Sequence, residues 1–260
     1  TRYIVSGKRS FEAAKDYEGK KVAVLNYANN LSIGGAPFFA GAQEESLCRC
    51  STLLPCLQAM KESFYQKHHN LYITNQMGND DLIYTPEVVV FKSDERTDPV
   101  YPRMMEHNQW FKVNVITCAA PQMQIANKQP RNYENVIRSR IKKILDVAAK
   151  ENNEVVILGA WGCGAFKNPI EVVARIFVEL LKNYDFKIVE FGSFPFHIPK
   201  FRRYGIKIQF ELSLAVCAYI NFRAPFCDNI SRWTVKGHFY LFSRFRCFEN
   251  GTSGSGRYNF

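Results

Sequence analysis

The sequence predicts an α/β protein built as a three-layer sandwich, and three observations lead there. Short apolar runs rich in β-branched residues recur along the first 191 residues. Longer segments with helical spacing separate them. Two of the runs end in glycine-rich loops that feed a helix. Strand alternating with helix is the pattern of a sheet covered on both faces.

In chain order, Lys20–Ala28 (KKVAVLNYA) reads as a buried strand. Gln43 to about Gln66 has helical spacing, with Pro55 expected to kink or split it. Pro86–Lys92 is a second strand. Ser93–Met105 is charged, holds two prolines and reads as a loop. Phe111–Pro121 is a strand ending in small residues. Asn132–Asn152 is amphipathic: Val136, Ile137, Ile141, Ile144, Leu145 and Ala148 share one side, with Arg and Lys on the other. Glu154–Ala160 is a strand. Asn168 reads as an N-cap, with Pro169 at the first helical position of a helix running to about Asn183. Phe186–Phe191 is the last strand.

The expected organisation is therefore a domain over residues 1–191 and a separate tail over 192–260. The tail holds 11 of the 21 Phe, and its 10 Lys and Arg against 3 Asp and Glu carry +7 of the net +10. A basic chain suggests an anionic partner, but here the excess is concentrated at one end. Aromatics beside Arg and Lys suit single-stranded nucleic acid, a role the tail alone would carry. The eight Cys include no CxxC pair. Cys48 and Cys50 are two apart on an expected helix and point to different sides, which argues against a zinc site with Cys56. Free thiols fit a reducing compartment. With no signal-like start and no apolar run of spanning length, the expectation is a cytoplasmic chain, or a nuclear one in a eukaryote. The chain opens at Thr1 rather than Met, so a trimmed or incomplete start is expected.

Two loops are equipped for chemistry. In Leu158–Pro169 (LGAWGCGAFKNP) a buried strand gives way to three glycines and then a helix. Backbone without side chains lets a ligand approach closely, and a helix N-terminus stabilises phosphate. A tight strand-to-helix turn explains the same pattern. Asn29–Leu53 repeats the organisation, and two such loops on neighbouring strands suit the two ends of one phosphorylated ligand. Trp161 reads better as a core plug than as a base-stacking ring. Glu44 and Glu45, adjacent on a helix, project about 100° apart and cannot both face one bond. First-turn acids are favoured by the helix dipole without any chemistry. A bound diphosphate beside them would favour the protonated acid that catalysis requires.

These residues resemble a known family. The segments VLNYANN, GGAPFFAGAQEESLCRCSTLLPCL, YTPEVVVFK, VNVITCAAP and VVILGAWGCGAFKNPIEVVARIFVELL occur in the order and spacing of the bacterial-type poly(ADP-ribose) glycohydrolase family. The resemblance covers roughly Thr1 to Phe191. It implies a macrodomain fold with a mixed, mostly parallel central sheet. It also implies hydrolysis of ribose–ribose O-glycosidic bonds without a metal or cofactor. Poly(ADP-ribose) or ADP-ribosylated protein would be the partner, and ADP-ribose the product.

By the same resemblance, Gln43, Glu44 and Glu45 match a Gln-Glu-Glu motif. Glu45 would protonate the leaving ribose oxygen and then help activate water. Glu44 would hold ribose hydroxyls. Gly162, Cys163, Gly164 and Ala165 match the diphosphate loop, and Phe166 an aromatic beside the ribose or adenine. Asn26 and Asn29 fall in the strand-end asparagine region. The family's glycine triplet is reduced to Gly34–Gly35, with Ile33 or Ala36 in the third place. Phe38 and Phe39 stand where small or polar residues are usual. A Cβ in that loop is expected to hinder the diphosphate or a left-handed backbone position, so the alternative is an ADP-ribose-binding module with weak or no turnover.

Overall fold

In the computed structural model the described residues are 1–72, 77–94, 100, 102–124 and 131–192, together with the backbone of 209–210. The chain divides into a compact unit, Thr1–Tyr219, and a second unit, Ile220–Phe260, which lies outside the described residues. The expectations for the tail, including its affinity for nucleic acid, therefore fall almost wholly outside them.

Nine strands are present among the described residues: β1 (Arg2–Ser6), β2 (Val22–Tyr27), β3 (Ile83–Val90), β4 (Lys92–Ser93), β5 (Arg103–Met104), β6 (Phe111–Cys118), β7 (Val155–Gly159), β8 (Ile188–Gly192) and β9 (Gln209–Phe210). Seven form one sheet in the order β3-β6-β2-β7-β8-β1-β9. Every neighbouring pair is parallel except β3 with β6 at one edge. The mixed, mostly parallel sheet is thus as the resemblance implies. Four strands were not read from the sequence. β1 precedes the first assigned run, and the two-residue β9 pairs with Ile4–Val5 from within the basic tail. The segment Ser93–Met105, expected to be a loop, is instead pinned near its two ends, where β4 pairs with β5 antiparallel through Lys92–Met104 and Ser93–Arg103.

Among the described residues the helices are α1 (Ser10–Lys15), α2 (Gln43–Cys50), α3 (Leu53–Ala59), a π-helical segment (Lys61–Gln66), α4 (Lys67–Tyr72), a 3-10 turn (His107–Gln109), α5 (Tyr133–Lys150) and α6 (Ile170–Leu181). Alternation along β2 shows the layers. Ala23 and Leu25 pack with α5 and α6, whereas Val22 and Val24 pack with α1, α2 and α3. Successive strand side chains point to opposite faces, so the sheet is covered twice. Pro86 and Glu87 sit at a register shift in edge strand β3, where a missing N–H is tolerated.

Three further expectations are corrected. The helix expected over Gln43–Gln66 does not break at Pro55. It breaks at Ser51, whose extended backbone forms a bridge to Val90. Pro55 lies in the first turn of α3, where its missing N–H costs nothing. The N-cap of α6 is Pro169 rather than Asn168, because the Asn168 side chain is engaged elsewhere. Arg140 does not lie on the polar side of α5. It falls between Ile137 and Ile141 on the buried side and is itself buried. Its guanidinium donates to the carbonyls of Ala119 and Met77 and pairs with Asp80.

Candidate active site

The carboxyl ends of three adjacent strands, β6, β2 and β7, meet at one edge of the sheet. The loops that leave them carry the site. Asn26 ends β2 on the α2 side and is fully buried. Its Nδ2 donates to Glu44 Oε1 (3.2 Å) and to Thr117 Oγ1 on β6 (3.2 Å). The backbone N–H of Asn29 donates to Glu44 Oε2 (2.7 Å). The Asn29 Oδ1 accepts from the amides of Leu31 and Ser32, which fixes the turn into the glycine loop.

Gln43 holds α2 onto β2 with its whole carboxamide. Nε2 donates to the Leu25 carbonyl (2.8 Å) and to Ser10 Oγ (3.0 Å), and Oε1 accepts from the Tyr27 amide (2.9 Å). Glu44 and Glu45 follow it in the first turn of α2, only 3% and 8% exposed. Ordinary dipole-favoured acids stay in water, so burial sets this pair apart. Glu44 has both oxygens occupied. Glu45 Oε1 accepts from the Ala36 amide (3.1 Å), while Glu45 Oε2 is buried without a partner among the described residues, as is Asn26 Oδ1.

The reduced glycine triplet is adequate for this geometry. Gly34 and Gly35 adopt φ values of 67° and 69°, and neither Ile33 nor Ala36 is in the left-handed region. The Ile33 side chain packs against the apolar layer between sheet and α2. A Cβ on Gly34 would come within 2.9 Å of Cys48 Sγ and Leu54 Cδ1, and one on Gly35 would overlap Glu45 Oε1. Glycine is thus required at the two positions that retain it.

Burial pushes the Glu44 carboxyl up from 4.5 to about 8; the Asn29 and Asn26 hydrogen bonds oppose the rise and the Glu45 charge adds to it. A neutral Glu44 has a proton to donate, and Asn26 turned over by 180° would present its unpaired oxygen to it. Between pH 4.5 and about 8 the folded chain keeps a proton that the unfolded chain has lost, so this group lowers stability as pH rises through that window. Glu44→Gln should flatten this part of the profile. Thermal melts at pH 5 and pH 8.5 should differ less for the variant than for the parent, and an equal difference would contradict the assignment.

The second loop follows β7. Gly162 has φ 71°, and a Cβ there would overlap Ala120 in the segment after β6. Asn168, whose Asn-Pro sequence suggested a helix cap, clasps these two segments. Its Nδ2 donates to the Pro121 and Gly162 carbonyls (2.9 Å each), and its Oδ1 accepts from the Tyr133 hydroxyl (2.9 Å). The Phe166 carbonyl accepts from the Met123 amide (2.9 Å), and its ring is half-buried against the core. Trp161 is fully buried, with Nε1 donating to the Cys118 carbonyl (2.8 Å), as expected of a core plug. The Cys163 amide donates to Ala160. Among the described residues, the amides of Gly164, Ala165 and Phe166 make no hydrogen bond within the protein. Consecutive amides of this kind suit an anion.

Removing the clasp should be costly. Asn168→Ala leaves the buried Tyr133 hydroxyl without its acceptor and takes one of two donors from each of the Pro121 and Gly162 carbonyls, which keep the Met123 and residue 168 amides. A loss of about 1–3 kcal/mol in denaturant unfolding is expected. Loss below about 0.5 kcal/mol would show that water replaces the side chain.

Comparison with known proteins shows the family of the chain. A family model for the microbial-type PARG catalytic domain matches residues 1–93. No functionally curated protein matches the chain. The poly(ADP-ribose) glycohydrolase of Thermomonospora curvata, solved with the inhibitor ADP-HPD, is 32% identical. That match covers 78% of each chain with a TM-score of 0.68. The poly(ADP-ribose) glycohydrolase of Deinococcus radiodurans, solved with ADP-ribose, is 31% identical over 78% of this chain and 83% of its own, with a TM-score of 0.68. With that identity sustained over most of both chains, the chain belongs to the microbial-type poly(ADP-ribose) glycohydrolase family.

Proposed function

We propose that the protein hydrolyses the ribose–ribose O-glycosidic bonds of poly(ADP-ribose) and releases ADP-ribose, with Glu45 as general acid and then general base. The observation that carries this reading is Glu45 Oε2, a buried carboxyl oxygen with no partner among the described residues, on a side chain that packs directly against Gly35 of the glycine loop. Such an oxygen has its hydrogen-bonding capacity left over for the leaving ribose oxygen once the loop admits the sugar, whereas both Glu44 oxygens already accept hydrogen bonds. The raised Glu44 carboxyl does not make it the acid, since reach decides before proton affinity. Glu44 instead orders Asn26 and Asn29, and its buried edge offers contacts to ribose hydroxyls.

In this mechanism the amides of Gly164, Ala165 and Phe166 hold the diphosphate, and Phe166 packs beside the ribose or adenine. Glu45 Oε2 gives its proton to the leaving ribose oxygen as the C–O bond breaks. The sugar passes through an oxocarbenium-like transition state, and the resulting Glu45 carboxylate takes a proton from the attacking water. Gln43 acts through position, fixing the first turn of α2 against β2.

Incubating the protein with poly(ADP-ribose) and resolving the products by mass tests the reading: free ADP-ribose is expected. Tight calorimetric binding of ADP-ribose without any release would instead establish a binding module. The two retained glycines at the two left-handed positions favour turnover over binding alone.

A further inference from the structure

Two features of the glycine loop are not used by the mechanism above. Phe38 and Phe39 are 77% and 94% exposed, neighbours in sequence and the two most exposed large apolar side chains among the described residues. Rings this exposed gain nothing from folding. Yet the backbone beneath them is held firmly. The amides of Phe39 and Ala40 both donate to the Ala36 carbonyl (3.0 and 2.9 Å), making a closed turn. Arg49 Nη1 donates to the carbonyls of Pro37 (2.7 Å) and Ala40 (2.6 Å), bracketing the pair from α2. Arg49 lies one helical turn beyond Glu45 and on the same side of α2. Ala36, where the turn begins, donates to Glu45 Oε1. The two rings are therefore displayed by a rigid turn that is hydrogen-bonded to the proposed acid at one end and to its helix at the other.

The chemistry of the substrate says what such rings would meet. In poly(ADP-ribose) the leaving oxygen is the 2′-oxygen of an adenosine, so an adenine is attached at the adjacent ribose carbon of the leaving unit. That base must lie close to the acid. Phe38 is two residues from Ala36, within about 7 Å along the chain. Aromatic rings stack on bases regardless of sequence, and a preordered pair does so at low entropic cost.

We propose that Phe38 and Phe39 form a stacking platform for the adenine of the leaving ADP-ribose unit, a subsite beyond the scissile bond that distinguishes polymer from free ADP-ribose. This rests on Glu45 being the acid. The test measures binding and not turnover, so the two fail separately. In a Glu45→Gln background, calorimetry compares ADP-ribose with a two-unit ADP-ribose oligomer. The second unit should tighten binding by about tenfold, the size of one base–aromatic stack. Phe38→Ala/Phe39→Ala should abolish that gain while leaving ADP-ribose affinity within about twofold, and Phe38→Trp/Phe39→Trp should retain it. No gain from the second unit in the parent, an unchanged gain in the double alanine variant, or an equal loss for both ligands would each overturn the platform. Release of ADP-ribose from polymer by the wild-type chain reports on the activity independently.

Discussion

Glu45→Gln is expected to lower kcat for ADP-ribose release by about 10²–10⁴-fold, the usual contribution of a positioned general acid and base. Affinity for ADP-ribose should change little. Gln keeps an oxygen for the Ala36 amide, so the loop stays in place and only the proton is lost. A drop in kcat with KM nearly unchanged marks a group that works in the transition state, whereas a rise in KM alone would mark a binding group. Glu44→Gln provides the contrast. Its carboxyl is raised to about 8 by burial, so the neutral amide resembles the form already present near neutral pH, and a smaller effect on kcat is expected.

Gly35→Ala should be nearly as damaging although residue 35 carries no reactive group. Its φ of 69° suits glycine, and the new Cβ would overlap Glu45 Oε1 while standing 3.2 Å from Glu44 Oε2. The loop cannot yield without releasing the Ala36–Glu45 hydrogen bond. Displacement of a catalytic group by about 1 Å costs on the order of 10²-fold, and kcat should fall by about that much. The left-handed backbone adds about 1–2 kcal/mol of instability in unfolding measurements. Ala36→Gly, which restores a third glycine, should leave kcat within a few-fold, because Ala36 is not in the left-handed region. If Ala36→Gly raised kcat tenfold or more, the reduced triplet would be a defect after all.

The parts of this site written as contiguous patterns were legible in the sequence. The continuous apolar run of β2, the glycine loops and the Gln-Glu-Glu turn depend on neighbours along the chain. What escaped depends on partners far away. Asn168 reads as a helix cap because Asn before Pro favours that locally; its actual partners, Pro121, Gly162 and Tyr133, are set by the packing of three elements. Arg140 was hidden by its charge, although its spacing from Ile137 and Ile144 places it on the buried side of α5. The α2–α3 break comes from pairing of Ser51 with Val90, a tertiary bond that overrides the nearby proline. The doubt raised by the glycine triplet could not be settled from sequence either, since only backbone angles show which positions need glycine.

The account turns on one atom, Glu45 Oε2, and on its reaching the sugar with Ile33 and Ala36 in place. A crystal structure of the protein with ADP-ribose tests this most directly. The account predicts the distal ribose against the Gly34–Ala36 turn, its anomeric oxygen within hydrogen-bond distance of Glu45 Oε2, and the diphosphate on the Gly164–Phe166 amides. A distal ribose that contacts Glu44 and leaves Glu45 Oε2 unpartnered, or a diphosphate held away from the second loop, would contradict it.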